Sequence, residues 1–350
     1  MRAMVFDRYG EPDVMHLKDV PVPEPQEGEV LIRVGYSGVS PADSKTRSGA
    51  TRAHYRYGNF PLVIGMDAAG VVERTGANVT DFRPGDRVIT WGSPDGKTSG
   101  SYAEFVRASV RNVSAMPKSL NFAQAAAVPI ASLTAFQSLF HAEKGGMIPG
   151  QKVLIHGAAG GVGSFAVQFA KSGGLLVAAT CGTPNATYVR SLGADRVIDY
   201  KTNEVCQAVR DWSAEGVDAV LDAVGPASLP QALDMLRPGG RLINILTVNA
   251  DGDIARDQKE AERRGFRKAI TVIDWERARD SMREITNLID AGLVHVPPIH
   301  VLLLKDAALA HQMIDAGHVR GKLVLKVAEL YARSPRRDTI TASAACTCGV

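Results

Sequence analysis

The 350-residue chain predicts an α/β fold: a β-rich part joined to a doubly wound parallel-sheet domain. Three observations carry this. As far as about Phe122 the sequence is a series of short β-branched runs separated by Gly and Pro. From about Gln124 it changes to an Ala-rich helix and then to apolar strands alternating with helical segments. A glycine-rich turn separates the first of those strands from the helix that follows it.

In the first part, residues 30–34, 70–73, 87–90 and 102–106 read as strands. The Pro-rich segment 21–27 and residues 79–86, with Asp81, Pro84 and Gly85, read as connectors. In the second part the strands are 152–156, 175–180, 197–198, 217–223 and 241–246. They are continuously apolar, as strands covered on both faces must be. A charged stretch at 256–268, an amphipathic helix over 275–291 and a last strand at 319–327 follow. The last strand suits a return to the first domain. The polar tail 329–350 reads as poorly ordered.

Composition narrows the function. The chain is 45% hydrophobic and 22% charged, enough for two buried cores. Forty basic residues against 37 acidic ones leave a formal charge of +3, with both signs interspersed, which argues against a nucleic-acid partner. Cys181, Cys206, Cys346 and Cys348 make no disulfide framework, so a reducing compartment is expected. With no secretory signal and no apolar stretch of bilayer length, the expected location is cytoplasmic, without a membrane partner.

The strongest chemical signal is Val153-Leu154-Ile155-His156-Gly157-Ala158-Ala159-Gly160-Gly161-Val162-Gly163. Ala158, Gly160 and Gly163 occupy the three positions of the dinucleotide fingerprint, where small residues permit a tight turn, backbone approach to pyrophosphate and close helix packing. Val162, Phe165, Ala166, Phe169 and Ala170 then recur with helical period, so the turn opens an amphipathic helix. Gly161 and Val162 complete the phosphate-facing backbone.

The second strand indicates which dinucleotide. An NAD site places an acid about 20 residues past the turn to bind the ribose 2′-hydroxyl. No acidic residue stands between Ser164 and Ala194, and the strand runs into Gly182, Thr183 and Asn185. NADPH is the expected cofactor. Arg190 is the nearest cation in sequence, and reads better as a solvated helix residue than as a phosphate ligand. Tyr200 and Lys201 could flank the adenosine ribose.

The chain resembles the zinc-independent quinone oxidoreductases of the medium-chain dehydrogenase/reductase superfamily. The resemblance spans residues 3–327. It is carried by Asp7-Arg8-Tyr9-Gly10-Glu11-Pro12, residues 61–70 and 81–88, the turn and helix 156–171, Leu192-Gly193-Ala194-Asp195, and Gly317-His318-Val319-Arg320-Gly321-Lys322. It implies a discontinuous GroES-like β domain (1–125 and 266–328) and an inserted Rossmann domain (126–265) with NADPH between them. It also implies a quinone or α,β-unsaturated carbonyl substrate, and a homodimer.

Two zinc sites of related alcohol dehydrogenases lack their ligands here. Gly65-Met66-Asp67 stands for the catalytic Gly-His-Glu, and no cysteine falls between Asp86 and Val110, so no metal is expected. The family run Val-Asn-Pro-x-Asp is Val39-Ser40-Pro41-Ala42-Asp43, which puts Ser40 at the substrate-contacting position and gives Asp43 a loop-orienting role. The resemblance places Lys45 near the nicotinamide, where its charge could stabilise an enolate. It places Tyr55 or Tyr57 near the substrate, to donate a proton or stack, although a tyrosine in a surface loop is the plainer reading. Thr134, Leu246 and Thr247 fall along the nicotinamide half, and Arg320 and Lys322 toward the phosphates. An enoyl reductase acting on a carrier-bound or specialised-metabolite intermediate, and a non-catalytic NADPH-binding protein, are the alternatives.

Overall fold

The structure, a computed structural model, describes residues 1–52, 59–92, 100–245 and 258–330. Its six-stranded sheet runs in the order Arg196–Asp199, Leu176–Cys181, Lys152–His156, Val217–Asp222, Leu236–Ile245, Arg267–Thr271. All its pairings are parallel. The chain direction of strand addition reverses between Lys152–His156 and Val217–Asp222, which opens a crevice beyond their carboxyl ends.

Side-chain alternation explains why these strands are apolar throughout. Val153 and Ile155 pack with Phe165 and Phe169 of the helix Gly161–Ser172, while Leu154 between them packs with Val209 and Leu233 on the other face. The helices Pro129–Phe140 and Ala278–Asp290 complete the first layer, through Leu133, Phe136, Met282 and Ile285.

A seven-stranded sheet supplies the other wall of the crevice. Its path is Ile299–Leu303, Lys322–Lys326, Glu29–Val39, Asp67–Thr75, Arg87–Trp91, Val113–Ala115, with Phe105–Ser109 also paired to Glu29–Val39. Leu323 lies opposite Val39, so the end of the chain is hydrogen-bonded to its beginning. A small sheet joins Met15–Asp19, Arg2–Phe6 and Leu62–Val63. The α/β class and the GroES-like plus Rossmann architecture are both present.

Several elements depart from the sequence expectation. Arg267–Thr271, which a boundary at 265/266 gives to the β domain, is hydrogen-bonded into the parallel sheet beside Leu236–Ile245. Its charged sequence fits an edge strand, where only one side is covered. The strand expected at 102–106 forms at Phe105–Ser109 instead, because Tyr102 is used as a bridge, its amide donating to Ile64 and its carbonyl accepting from Met4. The last strand starts at Lys322 rather than 319, since His318 and Gly321 both have positive φ. Glu29–Val39 is much longer than 30–34, with a register shift between Val34 and Tyr36 that accommodates Gly35. Most of the expected tail, residues 331–350 with Cys346 and Cys348, lies outside the described residues, but Leu330 packs against Gly35. No helix among the described residues is long and apolar enough to cross a membrane.

Phe169 is 1% exposed, with its ring centroid 5.4 Å from Phe136 and 5.9 Å from Phe165. Phe169→Ala should lower the free energy of unfolding by about 3–5 kcal/mol, measured by urea denaturation.

Candidate cofactor and active site

The glycine turn begins where Lys152–His156 ends. Gly157 has φ +80°, a backbone state that favours glycine. A Cβ on Gly163 would stand 2.2 Å from the Gly157 carbonyl oxygen, so only glycine lets the helix start this close to the turn. A Cβ on Gly160 would meet only that same oxygen, at 3.5 Å, so the outer side of the turn is open. Gly160 caps the helix Gly161–Ser172 without a side-chain hydrogen bond, which leaves the amides of its first turn to an outside acceptor. Ala158 is fully buried and holds the turn on Leu176–Cys181, its amide donating to the Thr180 carbonyl. The turn therefore fits a dinucleotide pyrophosphate.

Gly182, Thr183, Asn185 and Tyr200 come together beside it. A Cβ on Gly182 would lie 3.4 Å from the Tyr200 hydroxyl, and Thr183–Asn185 forms one 3-10 turn. The Lys201 ammonium lies 5.2 Å from the centre of the Tyr200 ring. The fold also brings in an acid that sequence spacing does not count: Asp199 ends the third strand in register with Cys181. Burial, reinforced by Asp199 and opposed by Arg190, pushes the Cys181 thiol up to about 11. Arg320 lies 6.0 Å from the Tyr188 ring, and Tyr188 donates to Ser164 of the helix at 3.0 Å.

The second half of the site rests on Lys322. Its stem packs against Gly161, and its ammonium, 6% exposed, donates to the Val39 carbonyl at 3.1 Å and to Asp67 at 3.2 Å. Gly321 beside it donates to the Ala159 carbonyl at 2.9 Å. Asp67 is fully buried, and its other oxygen accepts from Ile130 at the start of Pro129–Phe140. Lys322 thus bonds Asp67 directly rather than presenting its ammonium to a phosphate.

Ser40 and Asp43 form a capping box at the start of the helix Pro41–Ser48. The Ser40 hydroxyl, 4% exposed, donates to Asp43 at 2.9 Å. Tyr102 donates to the same Asp43 oxygen at 3.5 Å, and its hydroxyl lies 3.2 Å from His311 Nε2. Lys45, on the same helix, is half-buried, and its ammonium has no hydrogen-bond or ion-pair partner among the described residues; burial lowers its pKa. Thr134 is 7% exposed, and its hydroxyl donates to the Ile130 carbonyl within its own helix. Tyr55, Tyr57, Leu246 and Thr247 lie outside the described residues.

The residues that sequence reasoning missed are mostly buried polar groups: Asp67 as an ion-pair partner, Tyr102, His311, and a row formed by Thr180, His156, Asp222 and Asn244. Each member of that row is a polar residue near the end of an apolar strand, on one face. That pattern was the available signal.

Comparison with known proteins agrees with this geometry. Residues 26–118 match the alcohol dehydrogenase GroES-like domain family, and residues 192–325 match the family described as zinc-binding dehydrogenase. Human quinone oxidoreductase is 35% identical, covering 93% of this chain and 97% of the relative. The chain belongs to the quinone oxidoreductase branch of the medium-chain dehydrogenase/reductase superfamily. The mitochondrial NAD(P)H oxidoreductase RTN4IP1 of Danio rerio is 32% identical, covering 94% and 92%. The structure of the quinone oxidoreductase from Coxiella burnetii superposes with a TM-score of 0.82 at 33% identity, covering 94% and 99%. The chain is accordingly an oxidoreductase with a pyridine nucleotide cofactor. The residues present do not fit the zinc of the matched family's description: Asp67 is held by Lys322 and Ile130, and among the described residues no group of three or more His, Cys, Asp or Glu could hold a metal ion.

Burial, with the Asp67 charge, pushes the Asp43 carboxyl up to about 7, against the Ser40 hydrogen bonds. Burial pushes His311 down to about 4. The two act oppositely on stability. The native Asp43 keeps a proton that the unfolded chain has lost, so its contribution is full below about pH 4 and is lost as pH rises through about 7. The His311 contribution is full above about pH 6.5 and is lost as pH falls toward about 4. Asp43→Asn removes only the first. The Tm of the native chain minus that of the variant should therefore fall by at least about 2 °C between about pH 5 and pH 8, and thermal melts across that range check it.

Proposed function

We propose that the protein is an NADPH-dependent, zinc-independent reductase that passes hydride to a quinone or to the C=C bond of an α,β-unsaturated carbonyl. One observation carries the reading. The uncapped turn of residues 157–163 touches, through Gly160–Gly321 and Gly161–Lys322, the strand that enters the seven-stranded sheet. A dinucleotide laid on the turn then runs into the crevice between the two sheets.

When bound, the cofactor supplies the hydride. The chain's own residues bind, orient and neutralise. The backbone at Gly160, Gly161, Val162 and Gly163 receives the pyrophosphate at the helix N-terminus. Gly182, Thr183, Asn185 and Tyr200 line the adenosine end, and Thr134 the nicotinamide end; Leu246 and Thr247, outside the described residues, are assigned to the nicotinamide end by the family resemblance alone. Exposed Arg190, Lys201 and Arg320 surround the adenosine end with positive charge, which favours a 2′-phosphate even with Asp199 nearby. Lys45 is the half-buried cation available to an oxygen that becomes negative as hydride adds to the far end of a conjugated carbonyl. Ser40 orients that helix through Asp43, and Tyr55, outside the described residues, is the candidate proton donor by the family resemblance alone.

The division into a GroES-like domain and a Rossmann domain belongs to this proposal, the boundary following Arg267–Thr271. So does a homodimer, supported by exposed Ile270 and Val272 at the free edge of the parallel sheet. A cytoplasmic location is supported by the free thiols of Cys181 and Cys206.

The test follows absorbance at the NADPH band with a simple quinone and a short enone, in EDTA, against matched NADH. Acceptor-dependent oxidation of NADPH in preference to NADH is expected; preference for NADH would overturn the cofactor assignment. Gly160→Ala should raise the NADPH Kd at least about tenfold, while lowering Tm by no more than a few degrees, because its Cβ meets the incoming phosphates rather than the fold.

A further inference from the structure

The carboxyl end of the parallel sheet carries a buried polar ladder across four adjacent strands: Thr180, His156, Asp222 and Asn244. None of these residues is needed to explain the fold. Polar groups in this position are costly unless each is hydrogen-bonded in a defined direction.

The directions can be assigned. Ser228 spends its hydroxyl hydrogen on the Gly225 carbonyl at 2.7 Å. His156 Nε2, 3.0 Å from the Ser228 oxygen, must therefore be the donor in that contact. Burial keeps His156 below its ordinary range, against the pull of Asp222, so the ring is neutral and its Nδ1 is an acceptor. Thr180 lies 2.7 Å from Nδ1 and donates to it. The Thr180 oxygen in turn accepts from the Gly157 amide at 3.2 Å. One directed chain thus runs from Gly157 through Thr180, His156 and Ser228 to Gly225.

Gly157 opens the phosphate turn, and Gly225 closes the turn after Val217–Asp222, on the opposite lip of the crevice. The two lips also touch: a Cβ on Gly157 would stand 2.6 Å from Val224. Asp222 fixes the second lip independently, accepting from Val224 at 3.0 Å and Gly225 at 2.9 Å, and is held by Asn244 at 3.1 Å.

We propose that His156, as the Nε2–H tautomer, is a positioning residue for the dinucleotide: through Thr180 and Ser228 it sets the spacing and orientation of the two lips that receive the cofactor. This rests on the cofactor reading above. His156 touches no reacting atom, and acts through the backbone at Gly157 and Gly225.

The experiment measures NADPH Kd by calorimetry, and kcat and KM for NADPH, on the full chain. Thr180→Val keeps the shape and removes the hydroxyl; it should raise Kd about tenfold, the effect of one misdirected buried hydrogen bond, with KM rising more than kcat falls. Thr180→Ser restores the hydroxyl and should bind within about twofold of the native protein. His156→Phe combined with Thr180→Val should be no worse than either alone, because both break the same chain. Ser228→Ala, in an exposed turn, guards against a core variant that fails to fold, and should raise Kd about fivefold. Native-like affinity in Ser228→Ala or in folded Thr180→Val, or equal damage from Thr180→Ser and Thr180→Val, would overturn the inference alone. Absence of NADPH binding by the native protein would overturn the cofactor reading and the inference with it.

Discussion

The buried ion pair between Lys322 and Asp67 is the contact on which the rest of the site depends. A single lysine side chain packs its stem on Gly161 and places its ammonium on Asp67 and on the Val39 carbonyl. Asp67 uses its remaining oxygen on the amide of Ile130 at the head of Pro129–Phe140. The glycine turn, the strands Glu29–Val39 and Asp67–Thr75 of the seven-stranded sheet, and the helix Pro129–Phe140 are therefore fixed to one charge pair. Loss of either partner would leave the other charged and buried, a cost of about 3–5 kcal/mol. The ion pair contributes more to holding the two walls at one separation than to net stability, since a buried pair seldom outperforms an apolar one.

Around this pair the polar groups divide by role. The amides of the helix start and the exposed cations Arg190, Lys201 and Arg320 offer positive potential to an anionic ligand. Lys45 stands half-buried without a carboxylate among the described residues, whereas Lys322 has one. An unpaired ammonium has charge to offer a developing oxyanion; a paired one does not. Ser40 and Asp43 cap the helix Pro41–Ser48, and Tyr102 and His311 continue the hydrogen bonds from Asp43, leaving the second Asp43 oxygen and His311 Nδ1 buried without a partner among the described residues. Ser40 and Asp43 thereby fix the start of the helix that carries Lys45.

How much of this was legible in the sequence follows from separation along the chain. The glycine turn was plain because strand, turn and helix are contiguous, and each leaves a local period. The alternating strands of the parallel sheet were equally readable. The strand Arg267–Thr271 was not legible because it lies at the sheet edge and carries charged residues, and charge obscures the strand pattern there. Asp67 and Lys322 are 255 positions apart, and Tyr102 and His311 are 209 apart. No spacing rule connects such residues, and only the fold shows that they meet. Asp199 illustrates the same limit: absent from the second strand by sequence, it arrives beside that strand's end from the third.

The central claim is that one ligand is gripped at once by the glycine turn and by the strand that closes it. Amide hydrogen exchange with and without saturating NADPH tests this most directly. The account predicts slowed exchange together at residues 157–164, 182–185 and 320–322, in both sheets' contributions to the crevice. Slowing confined to one of those segments, or found only elsewhere, would contradict it.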